Sequence, residues 1–111
     1  MDNRWVQEFP GNISICDKDG ILLELNDRAA ASTEGGRSII GTNILDCHPE
    51  GARAKLAEML ASGQANVYTI EKRGLKKLIY QAPWTIDGQY AGFVELSLEI
   101  PEDMPHFIRQ G

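Results

Sequence analysis

The chain has 111 residues, 42% of them hydrophobic and 24% charged, and a formal net charge of −5 at pH 7. These values predict one soluble globular domain and argue against nucleic-acid binding, which depends on neutralising phosphates with Lys and Arg. No apolar run approaches the roughly 20 residues that span a bilayer, and the N-terminus lacks the apolar core of a signal peptide. We therefore expect a cytoplasmic protein with no membrane or nucleic-acid partner.

The first element is a short predicted helix over residues 2–9, with Asp2 as its N-cap. Trp5, Val6 and Phe9 fall on one side of this helix, and a Pro-Gly pair follows it. A helix of this length is not stable alone. We therefore expect its apolar side to be covered by another surface.

A β-hairpin follows, because two short apolar runs, Ile13–Cys16 and Ile21–Leu25, flank a turn of sequence DKDG. Alternation places Ile13 and Ile15 on one face of the first strand, and Ile21, Leu23 and Leu25 on one face of the second. Asp17 and Asp19 are expected to hydrogen-bond to the backbone of the turn. Asn26, where the strand pattern stops, is predicted to cap a short Ala-rich helix.

The middle of the chain contains the clearest helix signal. Two adjacent glycines, Gly35 and Gly36, end the Ala-rich helix, and residues 37–47 read as irregular or single-turn structure. A helix is predicted over 49–62, with Pro49 at its first position and Gly63 after its end. Its apolar residues follow helical spacing and form one stripe. These residues are Ala52, Leu56, Met59 and Leu60.

Three strands are predicted after this helix, over Asn66–Arg73, Leu75–Pro83 and Tyr90–Ile100. In the last strand the apolar alternation predicts a buried face that carries Val94, Leu96 and Leu98, and an outer face that carries Phe93, Glu95, Ser97 and Glu99. The tail, residues 102–111, contains an amphipathic stretch that could start another helix. The predicted core comprises Ile13, Ile15, Leu23, Leu56, Leu60, Val94, Leu96 and Leu98.

These elements together resemble a PAS domain. The resemblance is carried by the run I-x-I-x-D-x-D-G-x-L-x-x-x-N at 13–26, the Gly-Thr-Asn step at 41–43, the D-G-Q-Y-A-G segment at 87–92 and the strand end at 98–101. It covers about residues 12–101, with residues 1–11 as an N-terminal helical cap. It implies an α+β fold with a five-stranded antiparallel sheet of order 2-1-5-4-3 and helices on one face. No output segment such as a kinase is attached, so the chain is either a piece of a larger sensor or a module acting through a partner protein.

The resemblance implies a sensory or signalling module with a pocket between the sheet and the long helix. The predicted lining suits a small apolar or aromatic ligand, because no Lys or Arg falls on the expected inward positions. The alternative is a ligand-free interaction or dimerisation module, which has the same fold. The candidate pocket residues are Ile40, Ile44, Leu56, Met59, Leu60, Leu78, Tyr80, Val94 and Leu96. A homodimer is expected through Trp5, Val6, Phe9 and Phe93.

Catalysis and metal binding receive little support from the residues. No nucleophile with a base and no carboxylate pair stands out, so we do not expect an enzyme. His48 could ligate haem. However, it precedes Pro49, and a histidine in this position is more often a cap or loop residue. No metal and no particular cofactor is therefore assigned. Cys16 and Cys47 are expected to be free thiols, and His106 to lie on the surface.

Overall fold

A computed structural model describes residues 3–111, with only the backbone of Cys47 described. Its centre is a five-stranded antiparallel sheet of order β2-β1-β5-β4-β3, as expected. The strands are β1 (Asn12–Asp17), β2 (Leu22–Leu25), β3 (Asn66–Lys72), β4 (Leu75–Ile86) and β5 (Gln89–Ile100). The helices are α1 (Arg4–Gln7), α2 (Asp27–Ser32) and α3 (Glu50–Ser62), with 3₁₀ helices at Gly36–Ile39 and Ile44–Cys47. None of the described helices is long and apolar enough to span a membrane.

The β1–β2 turn and the start of α2 form as the sequence predicts, except that Asp19 takes part in the turn through its backbone N–H and not through its carboxylate. The Asp17 carboxylate accepts the backbone N–H groups of Asp19 and Ile21, each at 2.9 Å. The side-chain oxygen of Asn26 accepts the N–H of Ala29 at the start of α2, at 3.1 Å. Gly20 has a φ of 86°, which a residue with a Cβ rarely adopts.

Asn26 also holds the N-terminal segment in place. Its side-chain oxygen accepts the N–H of Ile13 at 3.0 Å, and its amide nitrogen donates to the carbonyls of Val6 and Gly11 at 3.0 and 2.8 Å. This side chain is 2% exposed, and its four hydrogen bonds join α1, β1 and α2. The burial of the polar amide is therefore compensated by a complete set of partners.

The long helix α3 begins one residue later than predicted, because Pro49 adopts an extended conformation and occupies the N-cap. Gly63, with a φ of 68°, ends the helix and returns its N–H to the Met59 carbonyl at 2.8 Å. Met59 and Leu60 are buried, whereas Ala52 is exposed. The Tyr90 hydroxyl donates to the Leu60 carbonyl at 2.9 Å and ties the end of α3 to the sheet.

The prediction of which face of β5 is covered is wrong. Phe93 is 5% exposed and packs with Cys16, Met59 and Leu60, so Phe93, Glu95 and Ser97 lie on the face that α3 covers. Val94, Leu96 and Leu98 lie on the opposite, helix-free face and are only partly buried. Since side chains alternate along a strand, assigning the pattern to the wrong side exchanges every residue between the two faces.

The predicted core is therefore corrected. Two clusters of buried residues lie under the helices, one of Cys16, Met59, Leu60 and Phe93 and one of Leu22, Leu25 and Ala29, and Ile79 of β4 is buried outside both. Of the predicted core, Leu60 is buried and Leu56 packs against the first cluster, whereas Ile13 and Ile15 pair with Leu96 and Val94 on the helix-free face. Leu23 is 37% exposed because the β1–β2 pairing is irregular, with Glu24 and Leu22 opposite consecutive residues of β1.

The two chain ends are less regular than predicted. The N-terminal helix is confined to Arg4–Gln7, and Asp2, the expected cap, lies outside the described residues. The tail after Ile100 forms no helix, because it makes few contacts that could stabilise one. His106 is exposed as expected, and so are Phe107 and Ile108, at 69% and 81%.

Candidate functional site

A cavity of about 260 Å³ lies between the covered face of the sheet and the helices. Its sheet wall is rich in polar side chains and its helix wall is rich in apolar ones. The polar sheet residues are Asn12, Ser14, Gln81, Glu95 and Ser97. The apolar helix-side residues are Leu25, Ala29, Ile39, Ile44, Leu56 and Met59. Cys16, Leu22 and Phe93 add apolar surface to the sheet wall.

The polar wall is organised as a hydrogen-bonded row across three strands. Asn66 donates its amide to the Gln81 side-chain oxygen at 3.0 Å, and Gln81 donates its amide to one oxygen of Glu95 at 2.7 Å. These three residues are cross-strand partners, and Ser14 of β1 stands opposite Glu95 on its other side. The row fixes the rotamers of Gln81 and Glu95, and among the described residues no buried side-chain polar atom is left without a partner.

The edge of the cavity near the second 3₁₀ helix carries His48. Its ring Nδ1 lies 2.6 Å from the Ile44 carbonyl, so this nitrogen carries the hydrogen and donates it. Among the described side chains of residues 3–111, which do not include that of Cys47, no cluster of three or more His, Cys, Asp or Glu that could hold a metal ion occurs.

The cavity contains a carboxylate and no described Lys or Arg on its wall. Burial, and to a smaller extent the charges of Asp17 and Glu95, raises the pKa of the Cys16 thiol, so this side chain acts as a neutral apolar group. Partial burial and the charge of Glu95 raise the pKa of Tyr68, which lies on the same face. The electrostatic potential around Cys16 and Tyr68, next to Glu95, is therefore negative.

The predicted pocket residues divide between the two sides of the sheet. Ile44, Leu56 and Met59 lie on the cavity wall, and Leu60 is buried beside it in the first core cluster. Ile40 is 37% exposed and lies off the wall. Four others belong to the helix-free face, which corrects their assignment to the pocket. These residues are Leu78, Tyr80, Val94 and Leu96.

Sequence reasoning missed Asn66, Gln81 and Glu95 as residues of the cavity. It noted that Glu95 and Ser97 share a face with Phe93 but assigned that face to solvent. The available signal was Phe93 itself, since a large aromatic and two polar residues on one face can indicate a partly polar cavity as well as an outer surface.

The candidate dimer residues are also divided by the structure. Phe93 is buried under α3 and is not available to a second chain, which corrects that assignment. Trp5 is 69% exposed, and Val6 is partly buried. Phe9 is 39% exposed and lies with Leu98 around Gly11, next to the helix-free face.

A wider hollow of about 520 Å³ lies where the β1–β2 turn meets the β4–β5 turn. Most of the side chains around it are exposed, and no helix covers it. The cavity under α3 is thus the better enclosed of the two, and enclosure by apolar walls with a few polar groups is typical of small-molecule sites.

Comparison with known proteins places this arrangement in the PAS fold. The chain is 24% identical to a C-terminal domain from Streptococcus mutans, with a TM-score of 0.67 over 85% of this chain and 78% of that one. It is 16% identical to a sensory box sensor histidine kinase from Vibrio cholerae, with a TM-score of 0.64 over 88% and 87% of the two chains. For the PAS domain of Bordetella pertussis BvgS the identity is 21% and the TM-score 0.61, over 90% and 84%.

No protein-family model and no curated protein sequence matches the chain. The similarity to solved structures nevertheless extends over most of the chain, and several of the similar structures are PAS domains. The chain therefore adopts the PAS fold, as the sequence resemblance implies.

Proposed function

We infer that this chain is a sensory module of the PAS type, which binds a small molecule in the cavity between the sheet and α3. The observation that supports this function is a partly enclosed cavity with an apolar helix wall and a hydrogen-bonded polar wall. The similar structures include a sensor histidine kinase, which agrees with a signalling role. The cavity volume of about 260 Å³ lies just below the range of roughly 300–1,000 Å³ typical of ligand pockets, so the ligand is compact.

A route from the cavity to α1 supports the relay of ligand state to a partner or to an output domain. Leu25 and Ala29 lie on the cavity wall, and Asn26 between them is hydrogen-bonded to the carbonyls of Val6 and Gly11. Arg37 donates to the Gln7 side chain at 2.9 Å and forms an ion pair with Asp27 at 2.8 Å. A displacement of α2 by the ligand would therefore move the N-terminal segment.

Native mass spectrometry and an absorption spectrum of the purified protein test this function. A stoichiometric bound small molecule supports it, and a Soret band would identify haem and bring His48 into the site. An apo mass for protein purified from its native host, together with no binding in a small-molecule screen, would contradict it.

A cavity-filling variant tests the same site independently. Met59→Trp adds volume to the cavity wall and is expected to fold and to lose ligand uptake, because the ring would occupy the open space. Met104→Trp is the matched control, since Met104 is 52% exposed on the tail. A loss of several kcal/mol of stability in Met59→Trp would instead indicate a core that was already filled.

A ligand-free interaction module is the alternative, and the helix-free sheet face favours it. Val94, Leu96 and Leu98 form a partly exposed apolar surface there, and Leu98 lies next to Phe9, which follows α1. We propose a second copy of this chain as the occupant, because this apolar surface adjoins the partly exposed Phe9 and the exposed Trp5 lies four residues before it in the chain. Leu96→Glu is expected to give a monomer in light scattering, whereas Leu75→Glu, at an exposed leucine near a turn, should stay dimeric. A monomeric parent protein at high micromolar concentration would contradict this.

A further inference from the structure

The sequence alone favours an apolar or aromatic ligand, but the cavity wall contains a carboxylate that this ligand class does not explain. We propose that the cavity selects a compact ligand with an apolar body and one cationic nitrogen group, an amine or amidine, and that Glu95 binds this group. The inference rests on the proposed function, because it concerns the chemistry of the ligand in the same cavity.

The first argument is the incomplete use of Glu95. One of its carboxylate oxygens accepts the Gln81 amide at 2.7 Å, and among the described residues the other oxygen has no hydrogen-bond partner. Ionised carboxylates have room for about four hydrogen bonds. The side chain therefore presents acceptor capacity at the wall of a cavity.

The second argument is that the neighbours orient the carboxylate without neutralising it. Gln81 cannot turn its amide oxygen toward Glu95 without losing the bond from Asn66, which is accepted by that oxygen at 3.0 Å. The row thus presents a donor, the Gln81 amide, to one oxygen of Glu95 and leaves the other oxygen toward the cavity. A carboxylate held in one rotamer before binding reduces the entropic cost of capturing a cation.

The third argument is the lack of an internal counter-ion. The described cavity wall contains no Lys or Arg, and the Nδ1–H of His48 is already donated to the Ile44 carbonyl. The ion pairs given for the described residues, Arg37 with Asp27, Arg53 with Asp46 and Lys55 with Glu58, lie elsewhere on exposed side chains. A cationic ligand would supply the missing charge, and a planar amidine could form two parallel hydrogen bonds with a carboxylate.

The opposite wall defines the rest of the ligand. Ile44, Leu56 and Met59 provide an apolar surface across the cavity from the polar row, and the volume of about 260 Å³ accommodates a body of roughly one ring. An anionic ligand is disfavoured in this cavity, because it would place a second negative charge near Glu95 with no cation between them.

Three probes of similar shape and different charge test the inference. Benzamidine is cationic, benzamide is neutral and benzoate is anionic, and their affinities can be measured by following backbone amide shifts in NMR titrations at neutral pH. Because a hydrogen bond to a charged group adds about 1.5–3 kcal/mol, we expect benzamidine to bind at least about tenfold more tightly than benzamide, with benzoate weakest.

Two variants assign this preference to Glu95. Glu95→Gln is expected to bind benzamidine and benzamide about equally, whereas Glu99→Gln, at an exposed position of the same strand, should keep the preference. Ser14→Lys is a second variant, because Ser14 is the cross-strand neighbour of Glu95 and a lysine there would provide an internal cation. This variant should lose the preference while keeping the carboxylate.

The outcomes separate this inference from the proposed function. Equal binding of benzamidine and benzamide by the parent protein, or a preference that survives in Glu95→Gln, would overturn the cationic ligand while leaving a ligand cavity. If none of the three probes binds, the inference is also overturned, whereas the sensory function is decided by the bound molecule found in native mass spectrometry.

Discussion

The two faces of the sheet differ in a way that reverses the usual association between polarity and solvent. The face under α3 carries a row of polar side chains, Asn66, Gln81 and Glu95, whereas the helix-free face carries Val94 and Leu96. The polar face is nevertheless the covered one, and it adjoins the buried Phe93. The comparison shows that a satisfied polar row can line an interior cavity, and that an apolar sheet face need not be the core.

Substitutions at two consecutive residues of β5, one on each face, test this comparison of the two sheet faces and are expected to give the largest difference in stability. Phe93→Ala removes a ring that is 5% exposed, so we expect it to lower the free energy of unfolding by about 3–5 kcal/mol in chemical denaturation. Val94→Ala, on the other face, should lower it by about 1 kcal/mol or less, because Val94 is only partly buried. A larger loss of stability in Val94→Ala than in Phe93→Ala would instead support the assignment made from the sequence, in which Val94 lies on the buried face.

Asn26 connects the N-terminal segment with the helices on the covered face, and its removal is expected to have the next largest effect. Asn26→Ala would leave two backbone N–H groups and two carbonyls without their partner, and we expect a loss of about 3 kcal/mol. Asn43→Ala is the control, because Asn43 caps the second 3₁₀ helix through one bond to Leu45 and makes only one further, exposed bond to the Asp19 carbonyl at 3.3 Å, so its loss should cost about 1 kcal/mol. Equal losses would mean that Asn26 acts only as a helix cap.

Local signals explain why so much of the fold could be predicted from the sequence. The Asp17 turn, the Asn26 cap and the Gly63 end of α3 each depend on residues close in the chain, and each forms as expected. The sheet order followed from the PAS resemblance. To predict these features, it is not necessary to know which helices and sheet faces pack against each other.

The side of the sheet that the helices cover could not be predicted in the same way. In β5, alternation shows that Val94 and Glu95 lie on opposite faces, but it does not show which of these faces packs on α3. That choice depends on contacts distant in sequence, such as Phe93 with Met59 and Leu60. The polar row was missed for the same reason, because Asn66, Gln81 and Glu95 become neighbours only through strand pairing.

Leu96→Ala gives a smaller effect that sharpens the description of the helix-free face. Leu96 is partly buried between Ile13 and Tyr80, so we expect a loss of about 1–2 kcal/mol at low protein concentration, less than a fully buried leucine would give. If this face binds a second copy, the loss should increase with protein concentration. A loss near 4 kcal/mol that is independent of concentration would place Leu96 in the core instead.

The smallest expected effect concerns the thiol on the cavity wall. Burial raises the pKa of Cys16 above its usual value of 9.0, so on raising the pH the unfolded chain releases this proton before the folded chain does. The free energy of unfolding should therefore fall as the pH rises above 9, and Cys16→Ala should reduce this fall by about 1 kcal/mol between about pH 8 and pH 10. The raised pKa of Tyr68 affects both proteins alike, whereas that of Tyr90 is raised mainly by burial and partly by the charge of Cys16, a contribution that Cys16→Ala also removes. Ser14→Ala, on the same face of β1, should leave the pH dependence unchanged. Identical pH profiles for the parent and Cys16→Ala in equilibrium denaturation would show that the thiol ionises as readily in the folded chain as in the unfolded one, and would place Cys16 in contact with solvent.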